Sequence, residues 1–588
     1  MSQSALVAVS VSTLVILTVA IGAMGLRISR TTGDFMVASR AISPRANASA
    51  ISGEYLSAAS FLGVAGLVLV GGVHMLWFPI GYTAGYLALL CLVAAPLRRS
   101  GAYTLPDFAQ WRLGSARVRR VCALLVVGVG WLYLLPQMQG AGLALRSVGG
   151  TPAYVGSLAV AGVVLLSVLA GGMRSVTLVQ VFQYWLKLFA ISVPIVLMAA
   201  LWWQSSPRES IDSQPPVATA PVQAVTTDPV RLTTAEVTRI QVDGVLDGRE
   251  VSGLIELRPG HTVTVAAGTS LRVPPGQPIP TAEQLRGARS LDPSGSTATS
   301  LYRTYSLLLA LLLGTMGLPH VLVRFYTNPD GRAARRTAAT VIGLLGLFYL
   351  FPPLYGALGR LYTPHLLLTG RVDAVVLELP RYLLPHPWSE LSVALLVAGA
   401  FAAFLATSSG VVVTVAGVLA QDLWWSPGRT AWGRPLQPRP ARHRDGVSRF
   451  RISALFAVTV PLALSFVATP TSLAGTIGLV FAVAASTFSP LLLLGIWWRG
   501  LTATGAIAGL CVGGAISIGA LTATVLPLGL NPTAAMLLAQ PAAWAVPTTF
   551  ATMVLASRLS RSQRVEAGAV MARLHTPERI SGAHRPTQ

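Results

Sequence analysis

Residues 51–60 read ISGEYLSAAS, a polar segment with a glycine and a carboxylate inside an otherwise apolar stretch of the chain. A lone charge in the hydrocarbon core of a membrane costs several kcal/mol unless water, a cation or a partner group accompanies it. Helices that break at this depth expose backbone carbonyls to cations and helix N-termini to anions. The segment therefore predicts a broken membrane helix, with Glu54 at a functional site.

The composition around this segment is that of a membrane protein. Residues AVILMFWYC make up 53% of the 588 residues, 11% are charged, and the mean hydropathy is +0.63. A spanning helix needs roughly 20 mostly apolar residues. We therefore predict an all-α polytopic membrane protein with about thirteen transmembrane helices. They lie near residues 5–26, 46–71, 76–97, 119–146, 152–171, 179–203, 302–325, 337–359, 390–420, 450–469, 472–497, 504–527 and 534–556.

The net charge of +22 raises the question of nucleic-acid binding. The positions of the arginines argue against it, because most of them lie in connections that fall on one side of the membrane. These connections are residues 27–45, 98–120, 324–336 and 429–451 and the tail from 558. The positive-inside rule then places the N-terminus outside and the C-terminus in the cytoplasm. Arg146, Arg360, Arg371 and Arg381 are exceptions on the outer side. We predict a plasma-membrane protein whose partners are the lipid bilayer and a small-molecule solute, and not nucleic acid.

Hydropathy divides the chain into four regions. They are residues 1–203 with six helices, an extracellular loop at 204–300, residues 301–557 with seven helices, and a cytoplasmic tail at 558–588. Short alternating runs in the loop are punctuated by Asp243-Gly244, Asp247-Gly248 and Pro259-Gly260, which predicts a small β-rich module. A disordered insert is the alternative.

Other sequence features exclude several classes of protein. The cysteines Cys91, Cys122 and Cys511 have no metal-ligand spacing and predict no disulfide framework. No Gly-rich phosphate loop of the Lys-Ser/Thr type is present, which argues against ATP hydrolysis by this chain. We therefore predict no enzyme activity and no organic cofactor. Lys187 is the only lysine, and we attribute this to genome composition and not to function.

Further polar interruptions lie within the fourth, seventh and ninth apolar spans. Pro136 precedes the amide of Gln137, residues 314–325 read GTMGLPHVLVRF, and residues 402–410 read AAFLATSSG. The proline in the second of these segments frees a backbone carbonyl of its helix. The alternatives are a kink beside a satisfied histidine in the seventh span, and a tight packing face of small residues in the ninth.

At these motifs the sequence resembles the sodium/solute symporter family, and within it the acetate permeases and related monocarboxylate symporters. The resemblance covers most of the chain apart from the outer loop and the tail. It is carried by GDF (33–35), ASR (38–40), GEYLSAASFLG (53–63), YTLPDFAQWRLG (103–114), LYLLPQMQGAG (132–142), LAGGMRSVTLVQ (169–180), GLPHVLVRFYT (317–327), QDL (421–423) and AVAASTFSPLLLLGIWW (482–498).

The resemblance implies a five-plus-five inverted repeat of helices, with one extra helix before it and two after it. In that fold a sodium ion lies between the broken second span and the ninth span. Its implied ligands are the carbonyls of Gly53, Leu56 and Ala403 and the hydroxyl of Thr407. Ala406 stands where many family members have a second hydroxyl, and losing one of about five oxygens weakens a site for a hard cation.

The coupling ion is therefore predicted to be Na⁺ or H⁺, since a carboxylate desolvated in the membrane could carry a proton. The residues predicted to bind substrate are Glu54, Tyr55, Ser57, Ser60 and Gln137. Those predicted at a helix break and gate are Pro319, His320 and Arg324.

Together these features predict a secondary active symporter that couples inward cation movement to uptake of a small monocarboxylate, such as acetate, by alternating access. One alternative is a membrane sensor that has kept a transporter fold. Another is a symporter of a different small solute, such as an amino acid or a sugar, because fold and chemistry are separate properties. The sequence carries no signal for an oligomeric state.

Overall fold

The computed structural model describes residues 3–26, 38–40, 42–205, 216–285, 298–424, 443–467, 473–525, 531–560 and 567–577. These residues form a helical bundle and one antiparallel sheet. The motif at residues 33–35 and the first part of the basic connection at 429–451, up to residue 442, lie outside the described residues.

The helices before the sheet include one long pair joined at a glycine. The helices are α1 (Gln3–Leu26), α2 (Pro44–Tyr55), α3 (Val64–Gly71), α4 (Trp77–Leu92), α5 (Ala94–Ser100), α6 (Leu105–Leu113), α7 (Ala116–Gly149) and α8 (Ala153–Ser205). A π-helical turn (Ala59–Gly63) leads into α3. Within α8, Gly172 has φ 57° and ψ −146°, a conformation that a residue without Cβ adopts readily. This kink separates the fifth and sixth predicted spans.

The helices after the sheet include a second interrupted pair, α9 and α10. The helices are α9 (Ala298–Gly317), α10 (Pro319–Tyr326), α11 (Gly331–Phe348), α12 (Pro352–Tyr362), α13 (His365–Thr369), α14 (Val375–Glu378), α15 (Pro380–Leu383), α16 (Trp388–Val418), α17 (His443–Val467), α18 (Leu473–Trp497), α19 (Ala503–Val525), α20 (Pro532–Ala539), α21 (Ala542–Leu559) and α22 (Ala567–His575). A second π-helical turn (Leu419–Leu423) follows α16.

The described residues contain 10 helical segments that are long and apolar enough to cross a membrane, so the chain is a multi-pass membrane protein. The predicted number of thirteen is not confirmed. One apolar segment, Ala59–Leu92, stands where the second and third spans were predicted. The helix α2, which was predicted as the start of the second span, is too polar to count as a membrane span by itself. The fifth predicted span is the shorter apolar helix Ala153–Leu169, and the last one, at α21, does not meet the same criterion of length and hydropathy.

The predicted loop contains a 7-stranded antiparallel sheet with the order β1-β6-β3-β5-β2-β7, in which β4 pairs with β3. The strands are β1 (Val222–Val225), β2 (Val230–Thr233), β3 (Thr238–Leu246), β4 (Arg249–Leu257), β5 (Thr262–Val265), β6 (Ser270–Val273) and β7 (Thr281–Ala282). Asp247 and Gly248, both with positive φ, form the tight turn between β3 and β4. The Asp243-Gly244 pair was wrongly predicted as a turn. It lies within β3, which changes its partner from β6 to β5 after Asp243.

Three of the basic connections meet at one end of the helical bundle. Arg98 donates to the carbonyl of Pro329 at 2.7 Å, and Arg99 donates to the carbonyl of Leu574 at 3.2 Å. These contacts place residues near 98, 329 and 574 together, as a common cytoplasmic side requires.

A buried charge network closes the same end. Arg119 lies 2.7 Å from the Asp107 carboxylate, and its Nε donates to Asp422 at 2.5 Å. Thr104 donates to the other oxygen of Asp422 at 3.0 Å. The two carboxylates share the single Arg119 guanidinium, and the network links α6, the start of α7 and the π-helical turn.

Replacing Arg119 with alanine should therefore lower the free energy of unfolding by about 3–5 kcal/mol, because Asp107 and Asp422 would remain buried without their partner. The loss is measured as a fall in Tm of the detergent-solubilised protein. The neighbouring exposed Arg120 provides the matched control, Arg120→Ala. Equal falls in Tm for the two variants would contradict the assignment.

Candidate functional site

The helix predicted to break does so at Leu56 and Ser57. Leu56 has φ −72° and ψ 82°, which is not helical, and the amide of Ser57 donates to the carbonyl of Tyr55 at 2.8 Å. In a continuous helix the Ser57 amide would donate to Gly53. The amide of Ser60 likewise donates to Ser57 at 3.0 Å and not to Leu56. The break therefore frees the carbonyls of Gly53 and Leu56.

A third carbonyl, that of Glu54, is also freed at this break. Its helical donor would be the amide of Ala58, which instead donates to Gln137 Oε1 at 3.2 Å. The Thr407 hydroxyl, on α16, donates to the Glu54 carbonyl at 2.6 Å. Side chains from α7 and α16 thus supply hydrogen bonds that the helix has lost, as buried backbone groups require.

The second interruption lies at Leu318, between α9 and α10. Leu318 has φ −65° and ψ 119°, and α10 begins at Pro319, where the missing N–H costs no helical hydrogen bond. The two interrupted helices contact each other directly. The Tyr55 hydroxyl lies 2.7 Å from Thr315 Oγ1, and Asn47 Nδ2 donates to the carbonyl of Arg324 at 3.1 Å.

Lys187, on the second half of α8, reaches the carbonyls freed at the first break. Its Nζ donates to the carbonyl of Leu56 at 2.8 Å and also to the carbonyl of Gly53. The lysine is fully buried. Gly53 allows this approach, because a Cβ at that position would lie 2.5 Å from the carbonyl oxygen of Gln180 on α8.

The Glu54 carboxylate points towards α8, α10 and α16 and forms a buried ion pair. Arg324 Nε donates to Glu54 Oε2 at 2.6 Å, and both side chains are inaccessible to solvent. Arg324 also donates to Thr177 Oγ1 at 2.7 Å and to the amide oxygen of Gln180. On α16, Gly410 has no side chain because a Cβ there would overlap the Glu54 carboxylate.

The α16 residues predicted as cation ligands lie beside the break. Gln180 Nε2 donates to the carbonyl of Ala406 at 2.7 Å, and the Thr407 hydroxyl is bonded to Glu54 as described. Ala403, one turn earlier, is fully buried. The structure therefore brings Gly53, Leu56 and α16 together, with Lys187 donating to two of the predicted ligands.

The other predicted substrate residues contact groups other than the ion pair. Ser60 Oγ is 2.9 Å from the Tyr349 hydroxyl, and the Gln137 side chain contacts Ala58. Tyr55 stacks edge-on against Tyr86 with ring centroids 4.8 Å apart.

These residues border a buried aromatic cluster. It consists of Tyr55, Tyr82, Tyr86, Tyr133, Tyr349 and Phe481, with the His320 ring 4.7 Å from Tyr133. The predicted substrate residues thus separate into Glu54 on one side and Tyr55, Ser57, Ser60 and Gln137 on the other. Of the predicted gate residues, His320 lies at the cluster and Arg324 at the ion pair; the gating role itself stays a prediction.

Several buried polar atoms at this cluster have no hydrogen-bond partner among the described residues. They are Gln137 Nε2, Tyr82 Oη, Tyr86 Oη and His320 Nε2. Buried polar atoms without partners are uncommon in folded proteins, and each of them needs an explanation. A neutral amide and two phenols can all donate hydrogen bonds. They therefore provide donors for an acceptor-rich ligand.

Sequence reasoning missed Lys187, Gln180 and the tyrosines of the cluster other than Tyr55. Only a bias in genome composition was inferred from the single lysine, and Lys187 was assigned no role, but its ammonium lies at the break itself. The signal was available, since an ionisable residue inside an apolar span is a functional-site hypothesis. The tyrosines come from helices distant in sequence, and no spacing pattern connects them.

A family model described as the sodium:solute symporter family matches residues 35–235 and 278–513. The chain belongs to this family. The unmatched segment between the two ranges contains strands β3 to β6. The protein is therefore a symporter that moves a small solute across a membrane, and not an enzyme. Membership also implies sodium as the coupling ion.

Three individual relatives are similar to this chain over most of its length. A monocarboxylic acid transporter of Corynebacterium glutamicum is 28% identical over 500 residues, covering 83% of this chain and 78% of the relative. An uncharacterised symporter of Cupriavidus necator is 28% identical over 571 residues, covering 82% of this chain and 80% of the relative. The uncharacterised symporter YwcA of Bacillus subtilis is 27% identical over 486 residues, covering 82% of this chain and 80% of the relative.

Solved structures share the fold. A Na⁺-coupled sialic acid symporter in a substrate-bound outward-open state gives a TM-score of 0.62 at 13% identity, covering 94% of this chain and 98% of that one. Mhp1, a nucleobase-cation-symport-1 family transporter, gives a TM-score of 0.50 at 11% identity, covering 93% of this chain and 99% of that one. The predicted inverted-repeat transporter fold is confirmed.

Replacing Arg324 with glutamine should lower the free energy of unfolding by about 3–5 kcal/mol, because the buried Glu54 carboxylate would lose its cation. The double variant Glu54→Gln/Arg324→Gln should recover most of the loss, since both charges of the pair are removed together. Tm of the purified protein measures both effects. Arg332→Gln, at an exposed position of α11, is the control. Failure of the second substitution to recover stability would contradict the pairing.

Proposed function

We propose that this symporter takes a small monocarboxylate such as acetate into the cell by alternating access. The protein lies in the plasma membrane with its N-terminus outside, its C-terminus in the cytoplasm and the β-sheet module on the outer side. The observation that carries the proposal is the set of buried, unpartnered donors beside the helix break, led by Gln137 Nε2. The likeness to a monocarboxylic acid transporter supports it.

The chemistry of the aromatic cluster suits a small anion with one polar end. Gln137 and the tyrosine hydroxyls offer hydrogen bonds to a carboxylate, and hydrogen bonds to a charged group are stronger than those between neutral groups. The rings of Tyr82 and Phe481, with centroids 5.2 Å apart, make the surroundings of these donors apolar, which suits a short alkyl tail.

The Glu54 ion pair removes an objection to an anionic substrate. A free carboxylate at the break would repel a second carboxylate, but Arg324 neutralises Glu54 at 2.6 Å. Because the pair also holds α10 against α2, its geometry is expected to differ between the outward-facing and inward-facing states. Arg324 is then a positioning residue of the gate and not a ligand of the substrate.

Uptake into proteoliposomes provides the test. Labelled acetate, propionate and pyruvate are offered under an imposed inward gradient of sodium or of protons. We expect accumulation of at least one of them above the level in empty liposomes. No gradient-driven accumulation of any small carboxylate would sink the proposal. Accumulation of an amino acid or a sugar in the same assay would also count against it.

Replacing Gln137 with glutamate keeps the side-chain size but turns the unpartnered donor into a carboxylate oxygen. A hydrogen bond to a charged group contributes about 1.5–3 kcal/mol, so KM for the carboxylate should rise roughly 10- to 100-fold. Uptake rates measured across a range of substrate concentrations give the KM. Gln241→Glu, at an exposed position of β3, makes the same chemical change outside the bundle and should leave KM unaltered.

A further inference from the structure

We propose that the Lys187 ammonium is a built-in cation that takes the place of sodium at the carbonyls of Gly53 and Leu56. Solute uptake then does not need sodium at this position, which departs from what family membership implies. The inference deepens the symport proposed above and rests on it for the uptake readout only. The site itself is argued from the geometry of the break.

The broken helix creates a cation site by its own backbone. Two carbonyl oxygens lose their helical donors at the end of α2, where the helix dipole is also negative. Either a metal ion or an ammonium can satisfy them. Lys187 does so here, with Nζ donating to both carbonyls. An ammonium has three donors and no acceptor, so it suits a set of carbonyl oxygens.

An additional sodium ion at the same carbonyls would compete with Lys187 for their oxygens and would be repelled by its positive charge. Its ligands would be oxygens that already accept hydrogen bonds from Lys187, and two positive charges would lie within a few ångströms in a buried place. The rest of the ligand set is weak as well. Ala406 contributes no hydroxyl, which leaves the Thr407 hydroxyl as the one side-chain oxygen among the predicted ligands. A hard cation depends on the number of its oxygen ligands.

The balance of charge at the break also argues against a sodium ion at these carbonyls. Glu54 interacts electrostatically with both Arg324 and Lys187. These three side chains carry one negative and two positive charges, a sum of +1 without sodium. One bound monocarboxylate brings the sum to zero, whereas a monocarboxylate with sodium leaves a net buried charge. Lys187 is therefore matched to an anionic solute that enters without sodium at this position.

The first test uses the wild-type protein and needs no solute. Binding of radioactive ²²Na⁺ to the purified protein is measured by scintillation proximity. We expect no saturable binding to the wild type. Lys187→Ala, which removes the ammonium and opens space at the carbonyls, should gain saturable binding. Saturable binding to the wild type that Lys187→Ala leaves unaltered would overturn the inference.

The second test is uptake of labelled acetate into proteoliposomes in sodium and in choline media, with an inward proton gradient in both. Wild-type rates should agree within about twofold. Lys187→Ala should lose at least about tenfold in choline and recover part of its rate in sodium. Lys187→Met, which fills the space without charge, should be slow in both media. Wild-type uptake that requires sodium would refute the inference.

The control is Trp185→Phe, on the same helix two residues earlier, where the side chain is half exposed on the bundle surface. It should match the wild type in both assays.

The two proposals fail in distinguishable ways. If no carboxylate accumulates but ²²Na⁺ binds only to Lys187→Ala, the monocarboxylate proposal falls and the role of Lys187 stands. If Lys187→Ala does not fold, the wild-type binding and uptake results still decide.

Discussion

The interruption of the second predicted span at Leu56 and Ser57 is the constraint on which the rest of the site depends. A helix that breaks inside a membrane must find new partners for its freed carbonyls and amides, because no bulk water reaches them. Three helices supply those partners through Gln137, Lys187 and Thr407. The break therefore fixes which faces of α7, α8 and α16 pack against it. It also divides its surroundings into a charged side and an aromatic side.

The charged side holds two positive groups against one negative group without solvent. Buried ion pairs contribute less to stability than their Coulomb energy suggests, since desolvation offsets much of the attraction. At this position the ion pair has a structural role, because Glu54 and Arg324 join the two interrupted helices to each other. A symporter moves by rearranging such elements around a midplane site. A pair that links both broken helices is well placed to couple their motion.

The aromatic side shows how a small anion can be bound without a free charge. In the proposed mode of binding, neutral donors hold the carboxylate, and the lysine and the arginine supply the net positive charge. Separating these two functions keeps the counter-charge fixed in the protein. The coupling between solute and counter-charge is then electrostatic and acts in both directions.

The sequence by itself determined the membrane class, the family resemblance and the places where helices break, because hydropathy, prolines and glycines act locally. It also predicted several of the strands in the loop, although Asp243-Gly244 was read as a turn when Gly244 accommodates a bend within β3. Only the tertiary structure decided what meets at the break. Lys187 lies more than a hundred residues from Gly53, and Arg324 lies further still from Glu54. A carbonyl freed by a broken helix accepts any donor that packing brings within reach, and packing depends on contacts that local sequence does not encode.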